Sequence, residues 1–438
     1  MRPPDDGATV SHRTVLGIAL PIIVSNVSTP LLGVVDIAVI GRLPDPAYLG
    51  AVALGAVVFS FLFWGFGFLR MGTTGLTAQA LGADDQAEQS AALGRALLIA
   101  AVVGAGLIAL QWPIAELAFV LLDGSDKVEA LARSYFDIRI WAAPATLANY
   151  ALLGWFIGLG QARIALLLQL VLNLTNMLLD ALFVLQFEMG VEGVAAGTLI
   201  ADVIAACVGL SIARRRLGST GWSLAGLLDK AGLARALAVN RDIMVRTLAL
   251  LAVFVWFMAQ GARQGDVLLA ANAVLMQFVS VAAYFLDGIA FATEALVGRA
   301  VGARRRRQLG AVVRLTSGWA LVLAALASLV FIGLGPTLID ALTVDPAVRQ
   351  SAREHLWWAG LAPLAGVASF QLDGIFIGAT RSAEMRNAML QSLVLFLLGW
   401  WLLQPWGNHG LWAALHVSYA ARTMTLLRHM PRLLRSVA

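Results

Sequence analysis

The sequence predicts an all-α integral membrane protein, with twelve transmembrane helices in two six-helix lobes related by a parallel tandem repeat. Three observations carry this. Of the 438 residues, 60% are apolar and only 13% charged, with a mean hydropathy of +0.81, far from a soluble domain. Apolar segments recur at roughly 14–40, 48–70, 91–111, 131–158, 163–186, 191–212, 243–262, 267–290, 311–334, 355–378, 388–404 and 410–427, each of a length suited to a bilayer crossing. Short sequence matches also recur at one constant offset.

The first segment contains the run LGIALPIIVSNVSTPLLGVVDIAVI from Leu16 to Ile40. It carries Asp36 at membrane depth, together with Pro21 and Pro30. An ionisable group there is expensive and is tolerated where it faces a bundle interior or a water-filled cavity. Each proline removes a backbone N–H and frees a carbonyl about one turn upstream, here those of Gly17 and Asn26, so the helix is expected to bend. Steps of three or four residues collect Asn26, Thr29, Gly33 and Asp36 on one face, with Leu, Ile and Val on the others. The plainer alternative is that Asp36 only joins two helices by a hydrogen bond.

Charge sets the orientation. The net charge of +5 and isoelectric point near 9.9 come from arginines in the breaks between apolar runs. That pattern marks the inner face of a membrane rather than a nucleic-acid surface. Arg13, Arg163, Arg214–Arg216, Arg241, Arg304–Arg307, Arg381, Arg386, Arg428, Arg432 and Arg435 fall on the side of the N-terminus; Arg42, Arg263 and Arg349 lie opposite. Twelve crossings return the C-terminus to the starting side, so both ends are expected to be cytoplasmic. The opening residues MRPPDDGATVSH lack the features of a secretory signal. The single cysteine, Cys207, can form no intrachain disulfide.

The repeat appears in three places. Tyr48-Leu-Gly-Ala-Val-Ala resembles Leu268-Leu-Ala-Ala-Asn-Ala, Gln79-Ala-Leu-Gly-Ala resembles Arg299-Ala-Val-Gly-Ala, and Gly154-Trp-Phe-Ile-Gly resembles Gly374-Ile-Phe-Ile-Gly, each pair 220 positions apart. Six is an even number, so the duplicated halves share one orientation. The expected division is a lobe over 1–212, an amphipathic cytoplasmic linker over 213–241 carrying Leu224, Leu227, Leu228, Leu233 and Leu237, and a lobe over 242–438. At the same offset Asp36 maps to Trp256, Asn176 to Phe396 and Asp180 to Trp400. The halves share a scaffold and differ in chemistry.

The fifth segment places Gln169, Asn173, Asn176 and Asp180 on one helical stripe. Asp36 and Asp180 both lie near the outer ends of outward-running helices, and at matching depth the inward-running fourth and sixth segments present Arg139 and Thr198, with Asp202 a turn deeper. Asp36, Asp180, Asn173, Asn176, Thr198 and Arg139 thus form the candidate coupling cluster. Two adjacent carboxylates in low dielectric favour holding a proton between them, while Arg139 pulls the other way. A Na⁺ site built from the same oxygens, and a polar packing network without a transport role, are the alternatives.

The stretch ALPIIVSNVSTPLLGVVDIAVIGRL, the segment FLRMGTTGLTAQALGA, the pair Asn176 and Asp180, and LDGIFIGATRSAEMRNAM near the end resemble the multidrug and toxic compound extrusion (MATE) family, in its DNA-damage-inducible protein F (DinF)-like branch. The resemblance spans essentially the whole chain. It implies two six-helix lobes around a V-shaped cleft, proton- or sodium-driven antiport of organic cations and other amphiphiles, and cation coupling by the residues matching Asp36, Asn176 and Asp180. Some members place a tyrosine on the fourth helix near that site, where this reading finds Arg139.

In the second half, the eighth segment aligns Asn272, Met276, Ser280, Tyr284 and Asp287, followed by Glu294, as a stripe expected to face the cleft. Met276, Tyr284, Asp287, Glu294, Asp373 and Arg381 are candidate pocket or gate residues, with Arg381 pairing one of the acids at the inner end, or else solvated helix-end charges. His409, Trp412, His416 and Tyr419 line the last segment and suit lipophilic cations or plain packing. No HExxH, Cys/His ligand set, nucleophile triad or phosphate loop occurs, and the acidic patches Asp84-Asp85 and Asp123–Asp126 read as solvated helix ends.

The resulting expectation is a secondary antiporter rather than an enzyme, driven by inward proton flow or, alternatively, by Na⁺. It needs no cofactor and no metal. It takes small amphiphilic or cationic substrates, contacts membrane lipids but no nucleic acid, and acts as a monomer in the bacterial cytoplasmic (inner) membrane. A flippase for lipid-linked precursors and a membrane-embedded enzyme are the rival readings.

Overall fold

Large apolar side chains stand on the outside of this protein as well as in its core. Val120, Leu121, Leu178 and Leu329 are each more than 70% exposed, as expected where the surroundings are lipid. The computed structural model describes residues 10–43, 45–122, 125–218 and 224–437. The first nine residues, Asp123, the middle of the basic linker and the side chain of Leu224 lie outside the described residues.

Helices account for nearly all of it. They are α1 (His12–Ile40), α2 (Pro46–Trp64), α3 (Phe68–Gly82), α4 (Gln86–Ala109), α5 (Gln111–Leu121), α6 (Asp126–Arg139), α7 (Ala143–Gly158), α8 (Ala162–Ala181), α9 (Gly190–Leu217), α10 (Leu224–Leu227), α11 (Lys230–Arg263), α12 (Asp266–Gly302), α13 (Arg306–Leu342), α14 (Pro346–Gly378), α15 (Ser382–Leu403) and α16 (Gly407–Ser436). Eleven helical stretches among the described residues are long and apolar enough to cross a membrane. One of them, Ser382–Ser436, is 55 residues long and contains both α15 and α16, so it supplies two crossings.

The duplication is visible in element boundaries. Pro46–Gly82 and Asp266–Gly302 are both 37 residues long, and Asp126–Gly158 and Pro346–Gly378 are both 33 residues long. The first of each pair is interrupted, by the turn around Gly65 and Gly67 between α2 and α3 and by a 3₁₀ turn, Ile140–Ala142, between α6 and α7. In the second half α12 and α14 run through the equivalent positions unbroken. Backbone geometry repeats as well. Asp84 (φ 56°) and Arg304 (φ 53°) adopt the same left-handed conformation, as do Gly160 (φ 72°) and Thr380 (φ 51°). Where Gly154 would carry a Cβ it would meet the Arg70 carbonyl oxygen at 2.3 Å, and at Gly374 the Ala290 carbonyl oxygen at 2.6 Å. Only glycine permits so close a backbone crossing.

Packing divides the chain into two compact units, one of residues 24–77 and 85–238, the other of residues 1–23, 78–84 and 239–438. The boundary inside α1 falls two residues beyond Pro21, and α1 runs unbroken through both Pro21 and Pro30. In the first unit the linker is fastened to α4 by Arg95, which is 3% exposed; its guanidinium donates to the Gly226 carbonyl at 2.8 Å and to Glu88 at 2.8 Å. The last part of the linker, from Lys230, is the start of α11 and continues directly into the seventh crossing. In the other unit a core of Phe257, Leu275, Phe278, Phe331, Phe396 and Trp412 is closed around α12, α14 and α16. There Gly82 would place a Cβ 2.1 Å from the Arg299 carbonyl oxygen, and Gly302 would place one 2.0 Å from that of Gln79.

Candidate functional site

The polar stripe of α8 and the acid of α1 meet within the first unit. Asp180 is the penultimate residue of α8 and is fully buried, with Asn176 and Asn173 buried one and two turns before it. A π turn, Leu182–Gln186, follows directly, an irregularity that often marks functional positions in helices. Asp36, four residues from the end of α1, is half-buried and its carboxyl group neighbours that of Asp180. With its amide nitrogen facing the acid, Asn176 donates from Nδ2 to Asp180 Oδ2 at 3.0 Å and accepts at Oδ1 from the Thr198 N–H at 3.2 Å. Asp36, Asp180, Asn176 and Thr198 therefore converge. Asn173 does not reach the acids: its Nδ2 donates to Ser28 Oγ on α1 at 2.8 Å, and its Oδ1 accepts from Gln169 at 2.9 Å.

Arg139 closes the site from α6. Its guanidinium lies over the Phe59 ring, 5.2 Å from the centroid, a cation–π contact. It is near enough to act electrostatically on Asp36, Asp180 and Asp202. Its Nε and Nη1 are buried and have no hydrogen-bond partner among the described residues.

Two further contributors, Tyr135 and Gly197, were not singled out by the sequence, and Asp202, expected a turn deeper than Thr198, joins them. Tyr135, one turn before Arg139 on α6, is buried beside the same charges, so the fourth crossing does bring a tyrosine to the site together with the arginine. It packs on Gly55, where a Cβ would stand 2.4 Å from its ring. Gly197 on α9 gives Asp180 its room, since a Cβ there would lie 2.2 Å from Asp180 Oδ1. An interior glycine in a helical pattern was the only available signal. Asp202, one turn beyond Thr198, is 4% exposed. It accepts from Thr146 Oγ1 at 2.9 Å and from Asn149 Nδ2 at 3.2 Å, both on α7.

The second unit replaces the expected inner gate with a different arrangement. Asp373 on α14 pairs with Arg246 of α11 and Arg422 of α16, all three buried. Asp287 and Glu294 act on Arg246, and Asp287 also on Arg422. Arg381 takes no part; it sits at the exposed helix end, 3.5 Å from Glu384. The reason is angular: α14 turns Asp373 toward its own bundle, while Arg381 follows the end of that helix. Arg246 and Arg422, ionisable residues inside apolar runs, carried the same sequence signal as Asp36. Along α12, Met276 packs against the apolar core and Tyr284 is half-buried. Asn272 is fully buried rather than open to a cleft, exchanging hydrogen bonds with Asn408 at 2.8 and 3.0 Å and accepting from Trp412 Nε1 at 2.9 Å. Trp412 and Tyr419 are core residues.

Comparison with known proteins agrees with this architecture. The MatE family profile matches residues 21–182 and 243–402, once in each half. The chain is 43% identical over 421 residues to DNA damage-inducible protein F of Escherichia coli (strain K12), covering 95% of this chain and 92% of that protein. It is 25% identical over 470 residues to a probable multidrug resistance protein NorM of Rhizobium meliloti (strain 1021), covering 99% and 96%. Among solved structures, an outward-facing multidrug resistance MATE family transporter of the MOP superfamily superposes with a TM-score of 0.88 at 16% identity, covering 97% of this chain and 96% of that one. The twelve-crossing repeat, the two matches in register with it and the extended identity lead to one conclusion: the chain belongs to the MatE family, whose members are multi-pass membrane transporters rather than enzymes.

Proposed function

We propose that this protein is a proton-driven antiporter that exports amphiphilic, chiefly cationic, compounds, with Asp36 and Asp180 as the coupling pair. One observation carries the reading: the carboxyl groups of Asp36 and Asp180 are neighbours, Asp180 fully buried, and two adjacent carboxyl groups in low dielectric favour holding one proton between them. Removing that proton leaves two adjacent carboxylates in low dielectric, whose repulsion favours separating α1 from α8. Asn176 adapts to either state, because an amide can donate to an ionised acid and accept from a protonated one. The prolines of α1 give the helix a way to change its path without breaking.

Arg139 favours H⁺ over Na⁺ in this reading. A guanidinium beside the acid pair already supplies a fixed positive charge, and a second full cation would meet repulsion that a covalently held proton avoids. The substrate class is supported by the likeness to a probable multidrug resistance protein, NorM. We further place the protein in the bacterial inner membrane as a monomer with both termini cytoplasmic, in contact with lipid and with no cofactor beyond the coupling ion. The arginine distribution and the E. coli relative support that placement.

The test is reconstitution in liposomes with ethidium as the transported cation. An imposed pH gradient should drive exchange and an imposed Na⁺ gradient at equal pH should not. The reverse result would replace H⁺ by Na⁺ at the same oxygens, and response to neither would refute secondary antiport.

A further inference from the structure

We propose that Asp202 is the alternative partner of Arg139, so that Arg139 is an internal cation exchanged between Asp202 and the Asp36–Asp180 pair during transport. This inference rests on the coupling role given above to that pair.

The geometry that points to it is an arginine with idle donors among three carboxyl groups. Arg139 leaves Nε and Nη1 buried without a hydrogen bond among the described residues. A buried guanidinium donor without an acceptor is costly, so this position is one from which the side chain gains by moving. Three acids on three different helices are near it. Asp36 and Asp180 belong to the ends of α1 and α8, while Asp202 lies on α9, one turn past Thr198. Asp202 is held in place by Thr146 Oγ1 at 2.9 Å and Asn149 Nδ2 at 3.2 Å, and Asn149 also donates to the Asp202 carbonyl at 3.0 Å. A carboxyl group fixed by neutral donors, with no ion pair among the described residues, suits transient use by a nearby arginine. The Phe59 ring, 5.2 Å below the guanidinium, gives Arg139 a resting surface on a side chain that neither acid controls.

The remaining charged or titratable groups around the site are Tyr135 on α6, Tyr150 on α7 and Arg70 on α3. When the Asp36–Asp180 pair carries its proton, one negative charge remains there and Arg139 turns to Asp202. When the proton leaves, the doubled negative charge draws Arg139 away and Asp202 returns to Thr146 and Asn149. The arginine thereby stabilises the deprotonated pair until substrate cation or proton replaces it.

The experiment is ethidium transport by full-length protein in proteoliposomes, recorded as a function of pH for wild type, Asp202→Asn, Arg139→Gln and the double variant, per folded molecule. Asp202→Asn leaves Arg139 no other acid, so the pH of half-maximal exchange should move to lower pH by about one unit, a roughly tenfold change in apparent proton affinity. Arg139→Gln should move it the other way, and the double variant should match Arg139→Gln alone. Unshifted profiles, or effects that add in the double variant, overturn the proposal. If Asp202→Asn does not accumulate, the Arg139→Gln profile decides: a shift to higher pH supports the exchange and an unchanged midpoint rejects it. Asp36→Asn is the control for the underlying reading. Retained pH-driven transport there would remove the coupling pair itself, whereas its loss together with unshifted Asp202 and Arg139 profiles would reject only the exchange.

Discussion

Trp256 and Trp400 meet edge to face, with ring centroids 5.2 Å apart, at the two positions that the 220-residue repeat makes equivalent to Asp36 and Asp180. The same pair of helix positions is in contact in both halves. In the first it is a pair of neighbouring carboxyl groups, and in the second an aromatic pair with no group that titrates near neutral pH. Scaffold and chemistry have separated at one site.

Asp36→Asn is nearly isosteric but cannot ionise. It should reach the membrane and bind substrate while losing pH-gradient-driven efflux, and Asp180→Asn should impair efflux as well. Trp256→Phe should transport as wild type does, because the aromatic contact survives. Ethidium efflux from cells, normalised to protein in the membrane, checks all three; wild-type efflux by Asp36→Asn would leave Asp36 as a helix contact only.

Gly197→Ala tests whether the position of Asp180 matters. The new methyl group would lie 2.2 Å from Asp180 Oδ1, so the carboxyl group must move by about an ångström, a displacement that can cost on the order of 100-fold in rate. Transport should fall by roughly that factor with the thermal midpoint in detergent little changed. Equal activity would mean that the carboxyl group has latitude.

The two halves should respond alike where their backbones cross. Gly154→Ala and Gly374→Ala each push a Cβ against a main-chain carbonyl, and neither backbone can yield as a side chain would. Each should lower stability by about 1–3 kcal/mol, read as reduced monodisperse yield and melting temperature. A neutral effect at either one would show that the crossing has slack.

Asp373→Asn should be among the most damaging changes in the second half, since it removes the carboxylate that both buried arginines, Arg246 and Arg422, contact. Breaking a buried ion pair from one side costs about 3–5 kcal/mol. Arg381→Ala removes only the exposed contact to Glu384 and should be close to neutral. Comparable melting temperatures for the two variants would contradict this assignment.

Asp45, in the turn before α2, gives a pH-dependent test outside the membrane spans. It pairs with Lys127, and its Oδ1 accepts from the Ala47 N–H at 2.9 Å. Lys127 and that N–H hold the carboxyl group below the usual carboxylate range. A depressed folded-state value means the contribution is present above the unfolded carboxylate range and disappears as pH falls through the folded value. Asp45→Asn should therefore lower the melting temperature slightly at pH 7 and leave it unchanged in strong acid.

Much of this architecture can be read before folding because membrane helices announce themselves by length and composition, and because the repeat register is set by short matches at helix ends. The acid pair is equally legible, since Asn173, Asn176 and Asp180 at helical spacing have no reason to lie in an apolar run unless something polar faces them. What stays hidden depends on neighbours. Gly197 acquires its meaning only once Asp180 lies against it, and Tyr135 only once α6 turns it toward the acids. The pairing of Asp373 with Arg246 and Arg422, rather than with Arg381, is a matter of helix rotation, which spacing alone leaves free when two faces are both rich in small apolar residues. Asn173 shows the converse: it shares the stripe of Asp180 yet binds Ser28, because two turns of helix carry it beyond the reach of the acids.

The reciprocal packing of Gly82 on the Arg299 carbonyl and Gly302 on the Gln79 carbonyl has the form of an isologous contact, in which each surface is the partner of its own copy. Such a contact is what two identical six-helix chains would make in a two-fold dimer, without any linker to join them. Within one chain the contact is made once by each half, and each half is free to carry its own side chains away from it. The carboxyl pair of one half and the tryptophan pair of the other, at equivalent positions, are that freedom put to use.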